Sequence, residues 1–270
     1  MSINIVTPIY TAQAGITQAQ KSFEKAAQSI ASGTKATVSP ADLYVASGLD
    51  TSIRSSQKAI ENAQTGYNFT ATADSTLANV NQNLQRVREL SIQASNGVYS
   101  DEQRSAMQAE INQNVAQIQQ NIAQSSFNGK QTVNAVTPDN PTPAATVDFM
   151  VGSDASSVIS YDPNIAMGNM NFDVSTPEAA ANSLAQVDSM ISDVSAKRGD
   201  IGAVQTSFEG AIAQQTTNIQ SAASSLSDIQ DTDYVSAIVD MKKAQFTMEM
   251  TAKVMKAVMN SDNYVLDLLK

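Results

Sequence analysis

From Leu184 to Ile229 apolar residues recur at steps of four and three: Leu184, Val187, Ile191, Val194, Ile201, Phe208, Ile212, Ile219, Ala222, Leu226 and Ile229. Only Arg198, Gln205 and Gln215 interrupt the row. A spacing of 3.5 residues held for about thirteen turns requires a helix that keeps one face against other helices, as in a coiled coil. Such a helix spans roughly 70 Å, too long for the core of a compact domain of this size. The pattern predicts an elongated rod.

Composition supports thin helices over a thick globular core. Helix breakers are sparse, with 7 Pro and 11 Gly in 270 residues, and only 16% of the chain is charged. Small uncharged polar residues flank the apolar rows and suit helices packed among many neighbours. A net charge of −10 without any Lys/Arg cluster excludes the electrostatic footprint of nucleic-acid binding. Cysteine and histidine are both absent, which removes thiol chemistry, Cys/His zinc sites and imidazole catalysis. The first residues, Met1–Pro8, hold neither a charged leader nor an apolar run of signal-peptide length, and no stretch approaches the ~20 apolar residues of a membrane span. The expectation is a non-enzyme without cofactor or metal and without nucleic-acid or membrane partners; if the protein leaves the cell, it does so without a cleaved leader.

Along the chain, Ile16, Ala19, Phe23, Ala26 and Ile30 form a heptad row that ends at Ser32-Gly33. After a break through Ser39-Pro40, a second long helix is expected from about Asp42 to Ser95, with Leu77, Val80, Leu84, Val87 and Ala94 inward and Asn96-Gly97 as its stop. Ser100 and Gln103 form a capping box for a third helix carrying Met107, Ile111, Val115, Ile118 and Ile122, which stops at Phe127–Lys130. Residues 131–175 change character: prolines cluster, and 146–151 and 157–161 read as strands. Thr176-Pro177-Glu178 supplies a cap, a first-turn proline and an acid for the next helix. The row slips phase at 228–233, the mark of a junction between packing environments, and resumes at Ile238, Met241, Met248, Ala252, Met255, Met259, Leu266 and Leu269. Asp228, Asp231 and Asp233 at the junction lack the glycine and distal glutamate of a calcium loop and read as helix caps. Segments 1–45, 46–130, 131–175, 176–230 and 231–270 follow as inner helix with connector, two rod helices, hairpin excursion, long rod helix and terminal helix.

Two sets of residues carry a resemblance. Leu84–Leu90 (Leu-Gln-Arg-Val-Arg-Glu-Leu), Gln108–Ile111 and Phe127-Asn128-Gly129 resemble the N-terminal region of bacterial flagellins. Ala185–Asp188, Ile201–Glu209, Asp231–Tyr234 and Val265–Lys270 are similar to the C-terminal region, and Phe149–Gly152 to a strand of the family's hairpin. The chain resembles a short flagellin without the large outer domains. Residues 30–42 depart from the family pattern, with Ile30-Ala31-Ser32-Gly33-Thr34-Lys35 and Ser39-Pro40-Ala41-Asp42 in place of its usual stretches.

The resemblance implies a mainly α fold: an antiparallel helical bundle or coiled coil with a small β-hairpin excursion, the termini paired as a two-helix coiled coil. It implies a structural subunit of the extracellular flagellar filament, exported through the flagellar type III channel and polymerising with itself. The subunit interface falls on Ile16, Phe23, Ile30, Ile238, Met241, Met248, Met255, Met259, Leu266 and Leu269. These amphipathic ends are expected to order on assembly, so deletion of Ser261–Lys270 would abolish growth and spare the rod. Five of the eleven methionines lie between Met241 and Met259, a flexible surface for successive partners or plain helix core. Expected partners are an export chaperone on the C-terminal helix and the filament cap and hook-junction proteins. Arg86, Leu90 and Glu110 match positions through which some flagellins meet the innate immune flagellin receptor, as an exposed ridge. Ser153, Ser156, Ser157 and Ser160 are candidates for O-linked sugar or plain loop serines. A secreted flagellin-like protein outside the filament and a hook–filament junction protein are the alternatives.

Overall fold

The computed structural model describes residues 6–138, 140–154 and 156–268, with side chains described from 10 to 257. Five helices, α1 (Val6–Ser32), α2 (Pro40–Ala94), α3 (Asp101–Gln124), α4 (Pro177–Gln230) and α5 (Tyr234–Leu268), account for most of it. Six short strands separate α3 from α4: β1 (Ser126–Phe127), β2 (Lys130–Gln131), β3 (Asn134–Val136), β4 (Val147–Met150), β5 (Val158–Tyr161) and β6 (Asn164–Ala166). The chain divides into two compact units, one of residues 1–52 with 220–270 and one of residues 53–219.

Local chemistry sets the helix ends. Pro40 opens α2 as a first-turn residue, and the Ser39 hydroxyl accepts from the Asp42 N–H at 3.1 Å. Ser100 and Gln103 close a full capping box at α3, and Thr176 accepts from the Ala179 N–H at 3.1 Å at the start of α4.

In the 53–219 unit three helices share one core. Phe69, Ala73, Leu77, Val80, Leu84, Val87, Leu90 and Ala94 of α2 are buried at heptad steps. They meet Met107, Ile111, Ile118 and Ile122 of α3 and Val187, Met190, Val194 and Ile201 of α4. The strand segment contributes Val133, Val147, Tyr161, Ile165, Met167, Phe172 and Val174 to the same core. It therefore caps an open flank of the helices as part of their core.

The strands form three two-stranded pairs: β1–β2 and β4–β5 antiparallel, β3–β6 parallel. Asn128 and Gly129 join β1 to β2 at φ 51° and 77°, the two left-handed positions of a type I′ turn. Aromatic rings pin the excursion to the helices. Phe69 lies 6.0 Å from Phe127 and 5.7 Å from both Phe149 and Tyr161, and Phe149 meets Phe208 edge-on at 5.4 Å. The Tyr161 hydroxyl donates to the Thr132 carbonyl at 2.9 Å, and burial pushes its phenol well above the usual tyrosine range.

Candidate functional site

The unit of residues 1–52 and 220–270 pairs α1 with α5. Gly33 sits on Thr232 and Gly15 on Thr251, so the two helices run antiparallel. The seam alternates small and large residues. Ala19, Ala26, Ala237 and Ala244 are buried, while Ile16, Phe23, Ile30, Met241, Met248 and Met255 are half-buried beside them. Alanine lets the backbones approach, and the larger side chains reach around the flanks, where a lone helix pair leaves them partly in water.

Ile238, expected within this row, is 45% exposed and stands off the seam; Ala237 takes that place. Met259 and Leu266 lie in the part of the chain whose side chains are not described, and Leu269 lies outside the described residues.

The face of α5 turned away from α1 carries a second apolar row. Val235, Val239, Phe246 and Met250 are 73%, 45%, 65% and 44% exposed and fall within about 60° of one another on a helix of 3.6 residues per turn. On another side of the pair runs a groove of about 830 Å³, lined by small residues such as Gly15, Ala26 and Ala244 and by the charged Lys25, Lys35, Asp240 and Lys243. Thr232, also lining it, holds its buried hydroxyl without a partner among the described residues.

Where α4 ends, the connector after α1 closes its open carbonyls. Lys35 Nζ donates to the Asp228 and Ile229 carbonyls at 2.7 and 3.0 Å, and the Lys35 N–H donates to that of Gln230 at 2.8 Å. Asp233 accepts from the Val235 and Ser236 N–H groups at 2.9 and 3.2 Å and so caps α5. Asp231 accepts from the Ser227 hydroxyl. The Asp231 and Asp233 carboxylates thus serve helix ends, and no cluster able to hold a metal occurs among the described residues.

In the other unit, Arg86 Nε donates to Glu110 Oε1 at 2.7 Å and Nη1 to Glu89 Oε2 at 3.0 Å. The Glu110 and Glu89 carboxylates raise the Arg86 guanidinium above its ordinary value. Arg88 makes a similar exposed contact with Asp188 at 2.6 Å. Leu90 does not join this surface. It is 3% exposed and fills the core with Val87 and Ala94, because it falls on the inward heptad row of α2. The exposed ridge is polar, made of Arg86, Glu89 and Glu110.

Among the hairpin serines, Ser153 and Ser156 are exposed and Ser157 is half-buried against Gly152. Ser160 donates its hydroxyl to Asp148 at 2.7 Å. Arg104, which no sequence pattern singles out, is 8% exposed and donates to the Tyr99 carbonyl, the Ser175 carbonyl at 3.0 Å and the Asp101 carboxylate. It ties the start of α3 to the segment entering α4. No local pattern signals this, since Ser175 lies far along the chain.

Residues 3–137 match the bacterial flagellin N-terminal helical region, and residues 184–269 match the bacterial flagellin C-terminal helical region. The chain is a bacterial flagellin. A flagellar filament 30.7 kDa core protein of Treponema maltophilum is 28% identical over 246 residues, covering 84% of each chain. Flagellin FlaB2 of Treponema pallidum is 28% identical over 267 residues, covering 93% of this chain and 92% of its own. The crystal structure of Bacillus cereus flagellin covers 60% of this chain and 94% of that one at 19% identity, with a TM-score of 0.49. This flagellin carries its two helical regions around a short middle segment. No described helix of this flagellin is long and apolar enough to cross a membrane.

Proposed function

We propose that this flagellin, a structural subunit of the flagellar filament, polymerises by seating the outer row of α5 from one copy in the α1–α5 groove of the next. The observation that carries this is the exposed row Val235, Val239, Phe246 and Met250, set on a different side of the same helix pair from a groove where small residues lie among charged ones. A knob face and a hole face on different sides of one unit give a head-to-tail contact. Such a contact extends as an open helix where its rotation does not close and forms a ring where it does. Burying one large apolar side chain supplies about 1.5–3 kcal/mol, so a few of them set against ordering entropy sustain growth.

Before assembly the same α5 row is the surface for an export chaperone, and the flexible thioether of Met250 within it suits it to more than one partner. The filament cap and hook-junction proteins engage the unit at the ends of the polymer. The terminal helices order as they enter the filament. On the outer surface the Arg86–Glu110 pair is the polar element offered to the innate immune flagellin receptor. Ser153 and Ser156 are the hairpin hydroxyls free to take O-linked sugar.

Phe246→Asp on the row and Ser22→Trp in the groove test the assembly contact by sedimentation after seeding. Both variants staying monomeric, with circular dichroism unchanged, supports the contact. Wild-type polymerisation by either overturns it.

A further inference from the structure

The chain holds two Asn-Gly pairs, Asn96-Gly97 and Asn128-Gly129, and the fold treats them in opposite ways. We infer that Asn96 is a site of spontaneous backbone-assisted deamidation, converting with age to aspartate and isoaspartate, while Asn128 is protected by its turn.

The chemistry needs an asparagine carbonyl, an unhindered following amide and water. The Gly97 nitrogen, after losing its proton to solvent base, attacks Cγ of Asn96. A C–N bond forms and the Cγ–Nδ2 bond breaks, releasing ammonia and leaving a five-membered succinimide. Water then opens the ring at either carbonyl, giving aspartate or isoaspartate. Each event makes the chain one unit more negative than its formal −10. No enzyme and no co-reactant other than water is required.

Four observations place the reaction at Asn96. Residues 96–98 lie in the exposed loop between α2 and α3, with Val98 79% exposed, so water and base reach the peptide. Asn96 Oδ1 accepts from the Val98 N–H at 3.2 Å, which curls Cγ over the Gly97 peptide and polarises the carbonyl under attack. The neighbouring N–H groups of Asn96 and Tyr99 are engaged with Gln93 and Asn96 carbonyls, whereas that of Gly97 donates to nothing among the described residues. A Cβ built on Gly97 meets nothing within 4 Å, so no side chain packs against that side of the reacting peptide.

Asn128 differs on the point that matters. It is held at φ 51° and followed by Gly129 at φ 77°, inside a two-residue turn closed by the Phe127–Lys130 pairing. Ring closure requires the peptide after Asn128 to rotate until its nitrogen faces Cγ, and that rotation breaks the pairing.

The product charge falls just past the last turn of α2, where negative charge opposes the helix dipole. Aged chains therefore carry a loosened α2–α3 loop.

The full-length protein, incubated in ¹⁸O-labelled water at mildly alkaline pH and mapped by peptide mass spectrometry, tests this. Conversion at Asn96 is expected to outrun that at Asn128 by about tenfold or more, a barrier difference of about 1.4 kcal/mol. Isoaspartate should accumulate first and mainly in the peptide spanning 96–97. Gly97→Ala fits the open loop without strain and should slow Asn96 conversion by about tenfold with an unchanged melting curve. Equal rates at the two sites, faster loss at Asn128, no conversion at Asn96, or indifference to Gly97→Ala overturns the inference.

Discussion

Gly66 lies in the middle of α2, where helix propensity alone makes glycine a poor choice by about 1 kcal/mol relative to alanine. The packing reverses that sign. A Cβ on Gly66 would meet Phe208 Cζ at 2.4 Å, Phe208 Cε1 at 2.6 Å and Phe149 Cγ at 3.0 Å. The Phe208 ring is fully buried and braced edge-on by Phe149 at 5.4 Å, so it cannot swing aside cheaply. Overpacking of this kind costs about 1–3 kcal/mol, and the site belongs at the upper end because two rings must move together. After the propensity gain, Gly66→Ala should destabilise the 53–219 unit by about 1–2 kcal/mol. Thermal unfolding followed by circular dichroism should show a midpoint about 2–8 °C lower. Gly202→Ala and Gly210→Ala are the controls, since each meets nothing within 4 Å in α4; both should stabilise by about 0.5–1 kcal/mol. Phe208→Leu should relieve the clash, leaving the double variant better than the sum of the singles by about 1 kcal/mol. Stabilisation by Gly66→Ala equal to that of the two controls would refute the reasoning.

Three further outcomes follow from buried groups. Tyr161→Phe removes a buried hydrogen bond to the Thr132 carbonyl and should cost about 1–2 kcal/mol near neutral pH. Because burial raises the folded phenol above its ordinary value of about 10, its contribution is intact below that pH and falls as pH rises beyond it; the variant should lack this alkaline loss in pH-dependent denaturation. Arg104→Met leaves the Tyr99 and Ser175 carbonyls without their donor and should cost about 2–3 kcal/mol by urea titration. Leu90→Ala should lower stability by about 2–5 kcal/mol as a core truncation, whereas Arg86→Ala should leave stability within about 0.5 kcal/mol and weaken receptor activation in a cell reporter assay.

Much of the helical framework was legible because it follows from period and punctuation. The row from Leu77 to Ala94, the Ser100–Gln103 box and the Thr176-Pro177 start are local signals, and local chemistry decides them. Leu90 shows where a borrowed motif misleads: it shares a helix face with Arg86 only loosely, and its step from Val87 and to Ala94 places it inward. The seam of α1 with α5 was harder to see because buried alanines carry it. A search for large apolar residues selects Ile238, one position from the true contact at Ala237. The parallel β3–β6 pair and Arg104 depend on partners about thirty and seventy positions away, which no window along the chain contains. The groove beside the small residues of α1 is likewise a property of two helices together.

Electron microscopy of the purified protein, added to short seeds cut from its own filaments, tests the central claim most directly. The account predicts regular filaments of flagellar diameter from the wild type and none from Phe246→Asp, whose helices remain folded. Soluble wild-type chains that never elongate the seeds, or unchanged growth by Phe246→Asp, would contradict it.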